Sequence, residues 1–167
     1  MNNNFSKQLY QFPGIIKLII FVVIVNITCG VGVGLFYVAN TTNLSVIGTT
    51  EQFKGSDVNN EFEIPEKYPK PLSELLMTTH NHLISLTFIF LIIGGVFFFS
   101  SIFSENVKSI LIIEPFVSIL TTFAGIWLIS FGYPIFVYLV LPSGILMYLC
   151  FFIMAVSILY ELALKNN

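Results

Sequence analysis

The chain has 167 residues, of which 56% are apolar, 16% are aromatic and only 10% are charged, and its net charge is −2. Soluble domains carry about 25% charged residues, so this composition excludes an ordinary soluble domain and indicates a protein solvated by lipid. All seven basic residues are lysines, and the small net charge excludes a surface that binds nucleic acid through an excess of basic groups.

Four apolar stretches are each long enough to cross a bilayer, which requires about 20 residues in a helix. They extend approximately over residues 15–38, 75–99, 110–131 and 135–159. With their flanking turns they predict helices at about 15–38, 73–102, 110–131 and 135–162, within one membrane domain that covers residues 1–167. Short connections join the last three spans, so we expect an all-α, polytopic membrane protein with four transmembrane helices in an antiparallel bundle.

Residues 39–72 form the main polar segment, which we predict to be an extracytoplasmic loop. The stretch IPEKYPKPLSE, which covers residues 64–74 and overlaps the end of this segment, contains three prolines and should be extended rather than helical. The first span is longer than the apolar part of a cleaved signal peptide, about 7–15 residues, so we expect it to be retained. The lysines near the helix ends predict that both termini are cytoplasmic, because cytoplasmic loops are enriched in lysine; they are Lys7, Lys17, Lys108 and Lys165.

Both histidines of the chain lie in the segment TTHNHLIS, at the start of the second span. At about 100° per residue, His80 and His82 are roughly 200° apart around a helix, so they cannot bind one small metal ion from one helix. His82 shares a face with Thr78 and Ser85. Because ionisable residues within membrane segments are usually functional, His82 and His80 are candidate cofactor-binding residues.

Small residues of the other three spans occur at the depth of His82, which is about 10 Å inside the outer boundary. One explanation is close packing of helices through small residues, with the histidine hydrogen-bonded across a tight interface. The other is a pocket for a flat cofactor of the haem or quinone type. The small residues are Gly30, Gly32, Gly34, Ala124, Gly125, Ser143 and Gly144.

The fourth span carries a seam of residues at alternating spacings of four and three, which predicts a face directed into the bundle with methionines as filler. Its members are Ser143, Met147, Cys150, Met154, Ser157 and Glu161. An alternative for Met147 is a thioether ligand to haem iron, whereas a bis-histidine haem would need a second subunit. A weaker alternative is a copper site at Met77 and His80, which lie three residues apart and would need further ligands from elsewhere.

Glu114 and Pro115 lie near the cytoplasmic end of the third span. We expect Pro115 in the first helical turn, where its missing donor costs nothing, and Glu114 beside the positive end of the helix dipole, with Lys108 nearby. A proton-relay glutamate is the alternative, although nothing ionisable connects Glu114 to His82. Glu161 and the lysine four residues after it are expected to form an i,i+4 helix-end pair.

Three segments, ANTT–GTTEQFKG, LLMTTHNHLISLTFIFLIIGG and LIIEPFVSILTTFAGIWL, carry a resemblance over residues 15–162. The chain resembles small four-helix integral membrane proteins of Bacteroidetes-type bacteria, some of which carry a label naming a translation elongation factor. That label cannot describe this chain, which has no GTP-binding loop. The resemblance implies a bacterial membrane protein and points to His80, His82 and Glu114 without assigning an activity.

No catalytic motif is present: the chain lacks a Walker loop, HExxH, GxSxG and CxxC. Two hypotheses follow for a multi-pass protein of the bacterial inner membrane. The first is a redox-associated subunit that binds haem b or a quinone at His82, near the outer face. The second is a non-catalytic accessory or assembly subunit whose histidines make interhelical hydrogen bonds. Its partners would be the lipid bilayer and other membrane subunits or a second copy of the chain.

Overall fold

The computed structural model describes residues 7–56 and 64–165, and within these ranges it contains helices but no strand. A short 3-10 helix at Leu9–Gln11 comes first, and another at Pro134–Phe136 precedes the last α-helix. The α-helices are α1 (Gly14–Thr42), α2 (Val46–Lys54), α3 (Leu72–Phe97), α4 (Glu105–Ser130) and α5 (Val137–Leu164). The predicted all-α fold is confirmed.

Four of these helices are long and apolar enough to cross a membrane, namely α1, α3, α4 and α5 with its preceding turn. The shortest of them has 26 residues, or about 39 Å at 1.5 Å per residue, which exceeds the roughly 30 Å of a bilayer core. The predicted four-span architecture is therefore confirmed.

The last helix, α5, packs most extensively on α4, together with the 3-10 helix that precedes it. Gly125 allows this approach, because a Cβ at that position would lie 2.6 Å from Val140 Cγ2. One turn away, the hydroxyls of Thr122 and Ser143 are 2.7 Å apart. Phe90 of α3 contacts the rings of Phe116 on α4 and Phe151 on α5, so α3, α4 and α5 share one core.

The first helix is peripheral to that core. Only 11% of the residues in its most apolar stretch are buried, against 39% for α4. A Cβ added to Gly30, Gly32 or Gly34 would meet no atom within 4 Å. Most of α1 therefore offers its surface to lipid or to another protein.

The segment predicted as a loop contains α2, which the sequence analysis missed. Asn43 and Leu44 adopt positive φ values of 50° and 48° and reverse the chain after α1. Ser45 then caps α2, because its Oγ accepts a hydrogen bond from the Gly48 amide at 2.9 Å. A Cβ on Gly48 would lie 2.1 Å from the Thr42 carbonyl oxygen, so this turn requires glycine.

The expected position of Pro115 is wrong. The sequence placed it in the first turn of a helix starting near residue 110, but α4 begins at Glu105 and holds Pro115 in its interior. The reason is that α4 begins with the polar residues ENVKS, and a helix start that is located from apolar residues alone leaves them out. Glu105 lies in the first turn, where the helix dipole favours an acid, and pairs with Lys108 at 2.9 Å.

The N-terminal segment, the turn between α3 and α4, and the end of α5 meet at one end of the bundle. The Leu9 amide donates to the Phe99 carbonyl at 2.9 Å, and the Phe12 and Phe99 rings are 5.6 Å apart. Lys165 Nζ lies 4.8 Å from the centre of the Tyr10 ring. This arrangement fits the antiparallel bundle; that this end faces the cytoplasm stays a prediction.

Candidate functional site

His82 lies on α3 with its ring against α4. Its Nδ1 is 2.9 Å from the Thr78 carbonyl oxygen, one turn earlier in the same helix. Since a carbonyl can only accept, Nδ1 carries the hydrogen and Nε2 of the neutral ring is left as an acceptor. The ring centre lies 5.8 Å from that of Phe123, and the residue is exposed.

The neighbouring turn of α3 is held to α4 by a side-chain hydrogen bond. Trp127 Nε1 donates to Thr79 Oγ1 at 2.9 Å. Trp127 and Phe123 are four residues apart on α4, so they present one aromatic face to α3. One of the two explanations drawn from the sequence assigned a histidine an interhelical hydrogen bond; Thr79 accepts such a bond, while the hydrogen bond of His82 stays within its own helix.

His80 and Met77, the predicted copper pair, are both exposed on α3. No group of three His, Cys, Asp or Glu side chains that could hold a metal ion occurs within residues 7–56 and 64–165. The exposed residues His80, Asn81 and Ser85 lie within about 140° of arc on the side of α3 opposite Thr79, and we call them the α3 polar face. His82 is also exposed, but it lies at the edge of this face, against Phe123.

The small residues at the depth of His82 do not converge on it. Gly125 and Ser143 are used in the contact between α4 and α5, Ala124 is exposed, and Gly144 has open space beside it. The glycines of α1 also face open space. Within the described residues, these glycines of α1 therefore take part in no close helix contact.

Met147 is buried in α5 and lies far from His82 along the bundle. The Thr122–Ser143 contact sets the register of α4 with α5, which places Met147 opposite Ser118. The Thr79–Trp127 contact sets the register of α3 with α4, which places His82 nearer the N-terminal end of α3, about six residues or 9 Å from the level of Met147. The structure does not bring these two candidate ligands together.

Glu114 occupies the interior of α4 rather than its positive end. Its Oε1 accepts a hydrogen bond from Ser118 Oγ, and its Oε2 atom is buried. The buried thiol of Cys150 on α5 donates a hydrogen bond to this carboxyl group. Lys108 is not its partner, because Lys108 Nζ donates to the carbonyls of Phe98 at 3.2 Å and Ser100 at 3.1 Å.

The sequence analysis missed the hydrogen-bonded site of a buried glutamate at the turn between α3 and α4. Glu161 is fully buried and accepts hydrogen bonds from Ser100 Oγ at 2.7 Å, Ser101 Oγ at 2.9 Å and the Ser101 amide at 2.9 Å. Lys165 Nζ donates to Ser101 Oγ, so the predicted helix-end pair is wrong and a serine lies between the two charges. The signal was available, because Glu161 ends the bundle-facing seam of the fourth span.

The model of a family described as a transmembrane helical domain matches residues 43–167 of the chain. The chain belongs to this family. The matched part contains α2 to α5, whereas the loosely packed α1 lies before it. No curated protein matches the chain, and no solved structure matches it. The family description names a membrane domain and no activity, so any function has to be argued from the residues.

Proposed function

We propose that this protein is an accessory or assembly subunit of a membrane complex, and that a partner covers the α3 polar face. One observation carries the proposal: two histidines, an asparagine and a serine are exposed within a membrane-spanning helix. Ionisable side chains inside a membrane almost always face protein or a water-filled cavity. Contact with lipid alone would leave the His80 ring and the Asn81 side-chain amide unsatisfied, whereas a partner helix with polar groups would satisfy them.

The attachment of α3 supports this assignment. The Thr79–Trp127 hydrogen bond fixes the rotation of α3 relative to α4, and it directs the α3 polar face away from the core. Ser85 Oγ donates a hydrogen bond to the backbone carbonyl of Asn81 at 2.7 Å, so the hydroxyl is satisfied within its own helix. The side-chain amide of Asn81 remains available to a partner. The loose packing of α1 leaves further surface for the same complex.

A photoreactive residue introduced in place of Asn81 tests the proposal in native membranes. We expect a discrete adduct with an integral membrane protein, identified by mass spectrometry. An adduct of twice the chain mass of 18.8 kDa would identify the partner as a second copy. The matched control replaces Leu91, an exposed apolar residue of the same helix, and should react with lipid only. Equal adduct patterns at the two positions, or lipid adducts at both, would contradict the proposal.

A second candidate function is a redox-associated subunit in which His82 binds haem iron or a quinone. The observation that favours it is the Nδ1 hydrogen bond to the Thr78 carbonyl, since metal-binding histidines commonly donate their other ring nitrogen to a backbone carbonyl. His82 would supply one axial ligand, and a second would have to come from another subunit. Oxidised and dithionite-reduced absorption spectra test it: a Soret band that is lost in His82→Ala supports haem, and a featureless spectrum after expression with ample haem rejects it.

We further propose a bacterial inner-membrane location with both termini in the cytoplasm. The support is the lysine distribution: Lys17, Lys108 and Lys165 lie at the same end of the helices, and cytoplasmic flanks are enriched in lysine. The segment with α2 would then lie outside.

A further inference from the structure

The side of α1 that points away from the bundle carries a regular pattern of exposed residues. Ile24 and Val31, seven residues apart, are 0% and 8% exposed, so they mark the side of α1 that faces the bundle. On the opposite side, six exposed residues recur at alternating spacings of three and four, the pattern of a helix that packs along its length against another helix. We call them the α1 seam: Ile19, Val22, Asn26, Cys29, Val33 and Phe36.

One member of the α1 seam is polar and lies near the middle of the span. Asn26 is exposed close to the centre of the 29-residue helix. Its Nδ2 donates to the Val22 carbonyl at 2.8 Å, whereas its Oδ1 accepts no hydrogen bond from the described residues. The bilayer core has no water that could donate one. Contact with lipid would therefore leave this oxygen without a partner.

We propose that the α1 seam is the contact surface for a second copy of this chain, in a parallel pair of α1 helices. Two copies of one sequence take the same orientation in the membrane, because the flanking lysines set it, so the second α1 brings its own Asn26 to the same depth. A side-chain amide contains both donors and an acceptor, and two Asn26 side chains can satisfy each other across a twofold axis. Asparagine side chains hydrogen-bond across membrane helices in this way, and a single asparagine in such a seam specifies the register of the pair.

The charge of α1 permits this pairing. Lys17 is the charged residue of the helix, and it lies about 160° around the helix from Ile19, so two paired seams bring no like charges together. The α1 seam and the α3 polar face are on different helices. The pairing therefore goes beyond the proposed function and does not depend on the partner of α3, and the Asn81 experiment and the one below can fail separately.

Cys29 makes the pairing testable in the full-length chain, because a parallel pair places the two Cys29 thiols side by side. Oxidation of native membranes with copper(II) phenanthroline should give a disulfide-linked product of twice the chain mass of 18.8 kDa. Cys29→Ser should abolish this product, and Cys150→Ser should not, since Cys150 is buried. In the Cys29→Ser background, Val22→Cys should restore the product and Phe21→Cys should not. These two exposed residues lie at nearly the same depth, but Phe21 is about 100° further from the seam.

A second measurement tests the role of the amide. Asn26→Leu nearly conserves volume and should weaken association roughly five- to thirtyfold, measured by energy transfer between fluorescently tagged chains in vesicles over a series of protein-to-lipid ratios. The matched control is Thr28→Val, which removes a hydroxyl that donates to the Ile24 carbonyl of the same helix and should associate like the wild type. Absence of the Cys29 product, equal crosslinking at positions 21 and 22, a Cys29 product with a different protein, or unchanged association of Asn26→Leu would each overturn the proposal.

Discussion

The indole nitrogen of Trp127 donates a hydrogen bond to the hydroxyl of Thr79 at 2.9 Å, and this contact joins α4 to the N-terminal part of α3. It lies one turn from the ring contact of His82 with Phe123. The two contacts together fix which side of α3 faces the bundle. The exposed positions of His80 and Asn81 follow from that rotation.

The first prediction concerns the strength of this hydrogen bond. Polar contacts between membrane helices measured by double-mutant cycles average about 0.6 kcal/mol, with a maximum of about 1.7. We therefore expect Trp127→Phe and Thr79→Val to show a coupling energy in that range, measured as the free energy of unfolding in mixed micelles. A Thr87→Val variant, which alters a hydroxyl bonded only within α3, is the control and should show no coupling to Trp127. Zero coupling between Trp127 and Thr79 would mean that the bond does not hold the two helices together.

The second prediction compares Glu161, which is fully buried, with Glu114, which is partly buried. Glu161 accepts three short hydrogen bonds from Ser100 and Ser101, whereas Glu114 accepts one from the Ser118 hydroxyl and a weaker one from the Cys150 thiol. Hydrogen bonds to charged groups contribute about 1.5–3 kcal/mol each, so Glu161→Gln should lower the free energy of unfolding by several kcal/mol. Glu114→Gln should cost less, because its side chain has fewer bonds to lose. Both are measured by unfolding in the same micelles, and a larger cost at Glu114 would contradict this account.

The helical architecture follows from sequence because long apolar runs can be satisfied in a bilayer only as helices or closed barrels. The apolar runs do not show which side chains will contact one another between helices. Glu161 shows this: its place on a bundle-facing seam was visible, but its serine partners lie about 60 residues away in the chain. Pro115 shows the converse, since a proline that looks suited to a helix start lies inside α4, which begins with polar residues.

The candidate site was only partly predictable for the same physical reason. The exposed side of α3 depends on its rotation, which the Thr79–Trp127 hydrogen bond determines and which no periodicity of α3 alone reveals. The role of small residues was also ambiguous in the sequence. Gly125 is in close contact with Val140, while Gly30 faces open space, although both are glycines in apolar helices.

The third prediction separates those two kinds of glycine. Gly125→Ala should destabilise the purified chain, because the new Cβ would lie 2.6 Å from Val140 Cγ2 and overpacking costs about 1–3 kcal/mol. Gly30→Ala should be neutral or slightly stabilising in the same unfolding measurement, since alanine is the better helix former by about 0.8–1.0 kcal/mol. A destabilising Gly30→Ala would show that α1 packs more tightly than described.

The fourth prediction tests the orientation of the bundle in the membrane. In a Cys29→Ala background, a cysteine replaces either Ile47 of α2 or Val107 in the first turn of α4; both positions are exposed and they lie near opposite ends of the helices. Cys150 is buried and should stay unreactive. If lysine placement sets the orientation, a membrane-impermeant maleimide should label Ile47→Cys in intact cells and Val107→Cys only after the membrane is opened. Labelling of Val107→Cys alone in intact cells would show that the orientation is the opposite one. The α3 polar face would then lie nearer the cytoplasm, and the partner would be sought among proteins on that side.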